Sequence, residues 1–575
     1  MKLLSLKINT PFRSLPEGFE INFDTEGKNP YVIAGRNGSG KSNILEALAA
    51  IFCHVEAAVL KYLPDTFSYD EEENPKGYQS KHGVPDAFEL SYEIKSIHRD
   101  NLTAGMNIMV PARVKVTITK HKDEAFIAYY SLKDQITTRL HYSDLPDYLP
   151  DHILGYSSGE NEILSLPFFK MRFVHLDEYL QALKGNISYH GRPESRLTFL
   201  DEEFSQAILL SNFVMQDEKS LKILQQEVGL RSIKRFRIIL NKQVELGYEE
   251  AIYYSKNYPK LVNTTSDNLD QQTYSYSILR PFEESANKIQ DESVFLPLIE
   301  RLKRCSTVHY EDSDNDCLIL DYWVNDATLS AFKQNFSSAL DLFQNLQVLL
   351  TLNLCKVKEK LKQDLYTSDS LYVNETVPSL PSDERVMRFK FVEFEKTEIS
   401  QKVMLKNLSD GEHQLLHCMG LALLYRNSNC LFLLDEPETH FNPKWRSDFI
   451  SNLNKCFQDS DGEREMLITT HSPFLISDSK PEKVLVFEKN EETGKVTVKK
   501  PDYNTFGSSI NTITMKTFGE EDTIGAVARE KLEEFLKRHQ NDEETEGLIK
   551  QMSYELGDSI EKAMIVHEII NHKNQ

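Results

Sequence analysis

The feature that most constrains this chain is a glycine-rich turn at 35–42. It reads Gly35-Arg36-Asn37-Gly38-Ser39-Gly40-Lys41-Ser42, between an apolar run at 31–34 and a helix-forming run, NILEALAAIF. A G-x-x-x-x-G-K-S pattern between a strand and a helix is a phosphate-binding loop, the Walker A motif. Its glycines let successive backbone N–H groups converge on phosphate oxygens, and the helix N-terminus adds partial positive charge. Asn37, Gly38, Ser39 and Gly40 form the cradle, Lys41 reaches the β- and γ-phosphates, and the Ser42 hydroxyl is placed to bind Mg²⁺. ATP and Mg²⁺ are the cofactors this turn implies.

A second carboxylate-bearing strand end is expected where the apolar run Leu431-Phe432-Leu433-Leu434 stops at Asp435-Glu436. Buried strands of open α/β sheets end at ligand sites, and Mg²⁺ takes oxygen ligands. Asp435 is the expected metal ligand, and Glu436 the expected general base that polarises the attacking water. Upstream, Leu408-Ser409-Asp410-Gly411-Glu412 heads an apolar helix, where a hydroxyl, a glycine and a helix N-terminus again suit an anion. Ser409 also suits a plain N-cap. Downstream, Ile468-Thr469-Thr470-His471-Ser472-Pro473 ends another strand-like run, with His471 just past its end.

With 575 residues the chain exceeds one ordinary core, so a head with insertions is expected. Hydrophobic residues at 40% and charged residues at 27% fit a soluble globular protein. The formal charge of -22 means that any nucleic-acid contact must come from a local basic patch. Cys53, Cys305, Cys317, Cys355, Cys418, Cys430 and Cys456 are scattered and read as reduced, buried thiols. The first residues carry Lys7 where a signal peptide needs an unbroken apolar run, and no long apolar stretch occurs, so a cytoplasmic protein without membrane contact is expected.

Strand-like alternation at 3–8 and 19–23 precedes the loop, and alternation at 88–94, 113–120 and 126–130 predicts an antiparallel sheet beside the nucleotide core. Helical spacing over 198–254 and 327–365, either side of a polar stretch at 263–272, predicts an inserted helical arm. Strand-like runs return at 386–394, 431–434, 466–469 and 484–487. The expected division is 1–180 for the first half of the head, 181–384 for the mainly helical arm, 385–519 for the second half, and 520–575 for an acidic helical tail.

Taken in order, the Walker A loop, the LSDGE turn, the acidic strand end and the histidine strand end resemble the ABC-type ATPases, and most of all their RecF, SMC and OLD-like members. The run Asp435-Glu436-Pro437-Glu438-Thr439-His440-Phe441-Asn442-Pro443 is similar to the Walker B segment and D-loop of that group, and Phe12-Arg13 to its N-terminal motif. The resemblance implies an α/β head built of a mixed sheet with helices and an antiparallel β subdomain. It implies that Arg13 approaches the nucleotide, that Ser409, Gly411 and Glu412 form the signature motif, and that His471 is the switch histidine that contacts the γ-phosphate. It also implies a homodimer or higher even oligomer in which two heads sandwich two ATP molecules, each Walker A loop facing the other head's signature. No clean Q-loop stands out; YSSGENE at 156–162 is the candidate.

OLD-like nucleases carry a second, Toprim domain with a DxD cluster; beyond His471 the chain offers Glu488 and Asp502 and no such cluster. The size, arm and tail resemble instead the ATPase components of bacterial antiphage systems: PtuA of Septu, retron-associated ATPases and restriction-associated AAA ATPases. That resemblance implies control of a separate partner nuclease of the HNH type. A DNA-repair or DNA-clamp ATPase of the RecF or SMC kind is the alternative. Arg231, Lys234, Arg235 and Arg237, with Phe236 among them, sit on an expected helix as either a solvated face or a contact for nucleic acid or a retron nucleoprotein.

Three weaker patterns carry less. Gly155-Tyr156-Ser157-Ser158-Gly159 matches a nucleophile elbow but is followed by a run that Pro167 interrupts. Asp312 to Asp316 starts like a calcium loop but has Cys317 at the glycine position. His413 and His417, one helical turn apart, are expected to serve packing or the surface.

Overall fold

The computed structural model describes residues 1–24, 27, 29–60, 85–99, 109–132, 137–158, 162–183, 196–246, 262–264, 274–277, 295–357, 359–367, 377, 380–396, 402–520, 524–540 and 544–572. The centre is a seven-stranded sheet in the order Val496–Lys499, Val484–Lys489, Tyr31–Gly35, Arg464–Thr470, Cys430–Asp435, His152–Ser157, Leu197–Phe199. All neighbours are parallel except the antiparallel edge strand Val496–Lys499. Parallel strands are covered on both faces and therefore read as unbroken apolar runs. Every residue of Tyr31–Gly35 and Cys430–Asp435 is accordingly buried.

Register brings distant residues together. Thr470 pairs with Ala34 one residue before the loop, and Asp435 lies between Thr469 and Ser157 on its two neighbours. The C-terminal ends of four adjacent strands thus form one edge. Helix Lys41–Val59 leaves that edge and packs on helix Glu162–Leu183. Among the described residues it alone has the length and composition of a membrane-crossing helix, yet 78% of its apolar window is buried in the fold, as befits a core helix.

The expected antiparallel sheet has six strands, in the order Phe19–Asn22, Lys2–Ile8, Phe88–Arg99, Met109–Lys120, Ile127–Leu132, Thr138–Arg139. Phe88, Leu90, Tyr92 and Ile94 point inward from one strand at a period of two.

Over 198–254 the helical expectation holds only in part. Helices Glu202–Met215 and Glu218–Val228 form, but Gly229, left-handed at φ 73°, ends the second, and the chain continues as strand Leu230–Asn241. Phe236, Ile238 and Leu240 are then buried at a period of two. Arg231, Lys234, Arg235 and Arg237 therefore lie on a strand, not on a helix. That strand is the middle of a five-stranded antiparallel sheet in the order Val308–Asp312, Cys317–Trp323, Leu230–Asn241, Met387–Lys396, Lys402–Met404. The segment expected as a helical arm thus holds strands as well as helices, and its strand Leu197–Phe199 completes the central sheet. Helix Glu202–Met215 packs against both Ala339–Thr351 and Asp410–Leu424.

The tail is helical, as its pattern predicts. Helices Ala526–Gln540, Thr545–Glu555 and Ile560–His572 pack around Leu532, Phe535, Leu548, Met552 and Ile569, a cluster apart from the main core. Cys53, Cys305, Cys317, Cys418, Cys430 and Cys456 are buried and form no disulfide. Most of the polar stretch at 263–272 falls outside the described residues.

Candidate nucleotide site

The phosphate loop closes through backbone that only glycine serves well. Gly40 sits at φ 89°, and a Cβ there would lie 2.4 Å from Ser14 Oγ. Asn37 and Gly38 are exposed, while the Ser39 hydroxyl is buried without a hydrogen-bond partner among the described residues. A buried hydroxyl left unpaired at the head of a helix suits a site whose partner is an anion. Lys41 Nζ donates to Arg36 O at 3.1 Å and stands 2.8 Å from His471 Nε2. Burial lowers this ammonium to about 8 against the opposing pull of Glu436, Asp435 and Glu438. Bound phosphates would add negative charge beside it and hold it protonated.

Ser42 Oγ donates to Asp435 Oδ1 at 2.7 Å, and Thr469 Oγ1 donates to the same oxygen at 2.6 Å. A hydroxyl and a carboxylate this close form the oxygen-only pair that a hard cation such as Mg²⁺ takes. Next in the chain, Glu436 has left-handed backbone at φ 47°. Its N–H donates to Thr469 O at 3.2 Å and to Thr469 Oγ1 at 3.1 Å, which fixes the turn. Its Oε1 lies 2.9 Å from His471 Nε2, and this contact is the main reason its carboxyl titrates below the ordinary value. His471 Nε2 thus lies within reach of both the ammonium of the loop and the carboxylate expected to act as base, and can hydrogen-bond one of them at a time. A non-glycine residue held in strained backbone at such a point is a mark of a functional site.

Several contributors escaped the sequence reading. Thr469 and Thr470 divide the acidic run between them: Thr469 holds Asp435 and the Glu436 N–H, while the Thr470 hydroxyl donates to buried Glu438. Ser472 N–H donates back to Thr470 Oγ1 at 2.8 Å. Two hydroxyls at a strand end before a histidine were the available signal. Arg36 donates from Nε to Phe518 O at 2.6 Å and from Nη2 to Gly519 O at 2.7 Å, and the Phe518 ring lies over His471 with centroids 6.3 Å apart. Nothing in the local sequence joins positions 36 and 518.

Other expected residues stand elsewhere. The Arg13 Nε lies 3.7 Å from Glu46 Oε2 on the loop's own helix, so its guanidinium is engaged one turn beyond Ser42. Ser409 and Glu412 form a reciprocal capping box: Ser409 N–H donates to Glu412 Oε2 at 2.8 Å, and Glu412 N–H to Ser409 Oγ at 3.3 Å. Lys396 Nζ holds the same carboxylate at 2.8 Å. None of these bonds reaches the phosphate loop of the same chain. Gly411 is buried where a Cβ would lie 2.6 Å from His440 O, and His440 N–H donates to Gln414 Oε1 at 3.0 Å. The signature turn is therefore packed against the segment after the acidic pair.

The Q-loop candidate begins beside the site, with Ser158 N–H donating to Asp435 O at 3.1 Å and Ser158 Oγ to Thr439 Oγ1 at 2.9 Å; residues 159–161 lie outside the described set. Ser157 is the last residue of a strand and not the corner of an elbow. Asp312 accepts from Asp314 N–H and Asn315 N–H in a hairpin turn. His417 is buried, its basicity lowered by burial to about 4, with its ring edge-on to Tyr156. Among the described residues no group of three or more His, Cys, Asp or Glu side chains forms a metal cluster.

The retron Vc95 probable ATPase of Vibrio cholerae serotype O1 biovar El Tor is 20% identical over 401 residues, which are 60% of this chain and 75% of that protein. The SMC head domain from Thermotoga maritima aligns with 88% of this chain and all of its own at 9% identity and a TM-score of 0.30. The recombination mediator RecF of the RecFOR pathway aligns with 86% of this chain and 97% of its own at 11% identity and a TM-score of 0.29. The family model of the AAA ATPase domain matches residues 1–476, and the chain accordingly belongs to the AAA ATPase family.

Proposed function

We propose that the chain binds Mg²⁺-ATP in the Walker A loop and hydrolyses it to ADP and phosphate as an ABC-type head, and that two heads form the working unit. The observation that carries this reading is the convergence of Lys41, Ser42, Asp435, Glu436 and His471 within hydrogen-bond reach at one sheet edge. Ser42 and Asp435 would hold the metal, which supplies charge neutralisation on the phosphates. Glu436 takes a proton from the attacking water, and its lowered pKa keeps it ionised for that task. His471 is placed to exchange its hydrogen bond with Glu436 for one with the outermost phosphate. Replacing Glu436 by Gln should leave nucleotide binding intact, slow turnover by at least about a hundredfold and accumulate dimers on ATP. Size-exclusion chromatography with light scattering and a phosphate-release assay read both, and unchanged turnover would remove Glu436 from the mechanism.

The likeness to a retron ATPase supports a regulatory purpose: ATP-dependent opening and closing of the head pair controls a separate effector nuclease, of HNH type, in antiphage defence. Affinity capture of the full chain from its native host tests this. Recovery of a nuclease whose association changes with ATP supports the reading. DNA-stimulated ATP hydrolysis with no nuclease recovered would favour the DNA-clamp alternative.

A further inference from the structure

The five-stranded sheet presents two unlike faces. On the inner face Phe236 stacks on Tyr322 at 4.3 Å and 9°, and both lie against Phe332. On the outer face Arg235 is directly opposite Trp323, and Arg237 lies between Asp321 and Lys390. The Arg235 guanidinium sits 4.8 Å from the Trp323 ring centre and 4.9 Å from that of Phe391. Trp323 is nonetheless 49% exposed, and Lys390 and Lys402 are exposed beside it.

Charge on this face is unbalanced in a chain of net charge -22. Asp321 is held bidentately by Arg237 at 2.8 and 2.7 Å, Glu395 by Lys234 at 2.7 Å, and Glu393, directly opposite Arg235, by Lys402 at 3.7 Å. Arg235, Arg388 and Lys390 form no ion pair among the described residues. The Phe391 ring, under Arg235, Arg237 and Lys390, is delivered by a register shift between Arg235 and Arg237 and by left-handed backbone at φ 54°. An aromatic residue at positive φ is strained, and a bulge re-aims a side chain, so packing alone does not account for it.

We propose that this outer face binds single-stranded nucleic acid, with a base stacked on Trp323 and the phosphate backbone running over Arg235, Arg388, Lys390 and Lys402. An exposed indole beside the unpaired cations Arg235, Arg388 and Lys390 provides the two elements such a ligand needs, a π-face for a base and a positive track for phosphates. A duplex hides its base faces and gains only the charge term. An acidic protein segment would use the cations and leave Trp323 idle. The inference stands apart from the ATPase chemistry, because none of these residues belongs to the nucleotide site.

The chain has two tryptophans, Trp323 and Trp445, so Trp445→Phe in the full-length protein leaves Trp323 as the sole reporter. Oligothymidylate and oligouridylate of about 15 nucleotides should each quench that emission, and their relative affinities decide whether DNA or RNA is preferred. In the native background, Trp323→Ala and the pair Arg235→Glu with Lys390→Glu should each weaken binding by about tenfold or more. The double charge reversal should also flatten the dependence of affinity on salt. Circular dichroism and ATP turnover, unchanged in Trp323→Ala, verify the fold. Absence of quenching at saturating oligonucleotide, tighter binding of a duplex, or full competition by polyglutamate would each overturn the proposal.

Discussion

Glu436 and Glu438 stand two positions apart and titrate in opposite directions. Glu436, bonded to His471, is held below the ordinary carboxyl value, so its stabilisation is present above that value and lost as pH falls through the folded pKa. Burial pushes Glu438 up to about 7 despite the hydrogen bond from Thr470. Its favourable contribution is therefore complete below the unfolded value, near 4.5, and lost as pH rises through about 7. Glu438→Gln keeps an oxygen to accept from Thr470 and removes the titration. The variant should gain stability over wild type as pH rises from about 5 to about 8, by roughly 1–3 kcal/mol at the top of that range. Glu465, also raised to about 7 by burial, is common to both proteins and cancels in the difference. A difference in denaturant midpoint that stays constant with pH would show that Glu438 does not titrate there.

Between elements, the contact that matters most to the site joins the phosphate loop to helix Ile510–Phe518. Arg36 satisfies carbonyls at the C-terminal end of that helix, where the helix dipole favours a cation, and Phe518 backs the His471 ring. Phe518→Ala should therefore leave nucleotide affinity within about twofold and lower kcat by about three- to tenfold, because His471 loses a wall and not a ligand contact. Titration with a fluorescent nucleotide beside steady-state turnover separates the two; an equal fall in both would make the helix merely structural. Such a contact was illegible in the sequence, since it depends on three-dimensional packing across more than four hundred residues. The loop, the acidic strand end and the histidine strand end were legible because each needs a set residue order over a few positions. Leu230–Asn241 was misread because its apolar residues recur at spacings of two and three, which strand and helix patterns share over so short a run; Gly229 was the overlooked stop signal.

At the scale of the whole molecule, the signature turn and the phosphate loop of one chain do not complete each other. Ser409 is exposed at the start of helix Asp410–Leu424, and its hydrogen bonds run to Glu412, while Lys41 and Ser42 are engaged with His471 and Asp435. The exposed helix N-terminus that Ser409 caps can also meet an anion from outside its own head, and in the proposed two-fold pairing each head would offer it to the nucleotide of the other. Mixing two inactive variants tests this arrangement. Lys41→Ala disables a chain's own phosphate loop, and Ser409→Arg disables the signature it lends. In an equal mixture with free exchange, half the dimers are mixed, and each mixed dimer holds one site built from two intact halves. Turnover should therefore recover to about a quarter of wild type, although neither variant alone is active. Were Ser409 to serve the loop of its own chain, every site in the mixture would carry one broken half, and no activity would return.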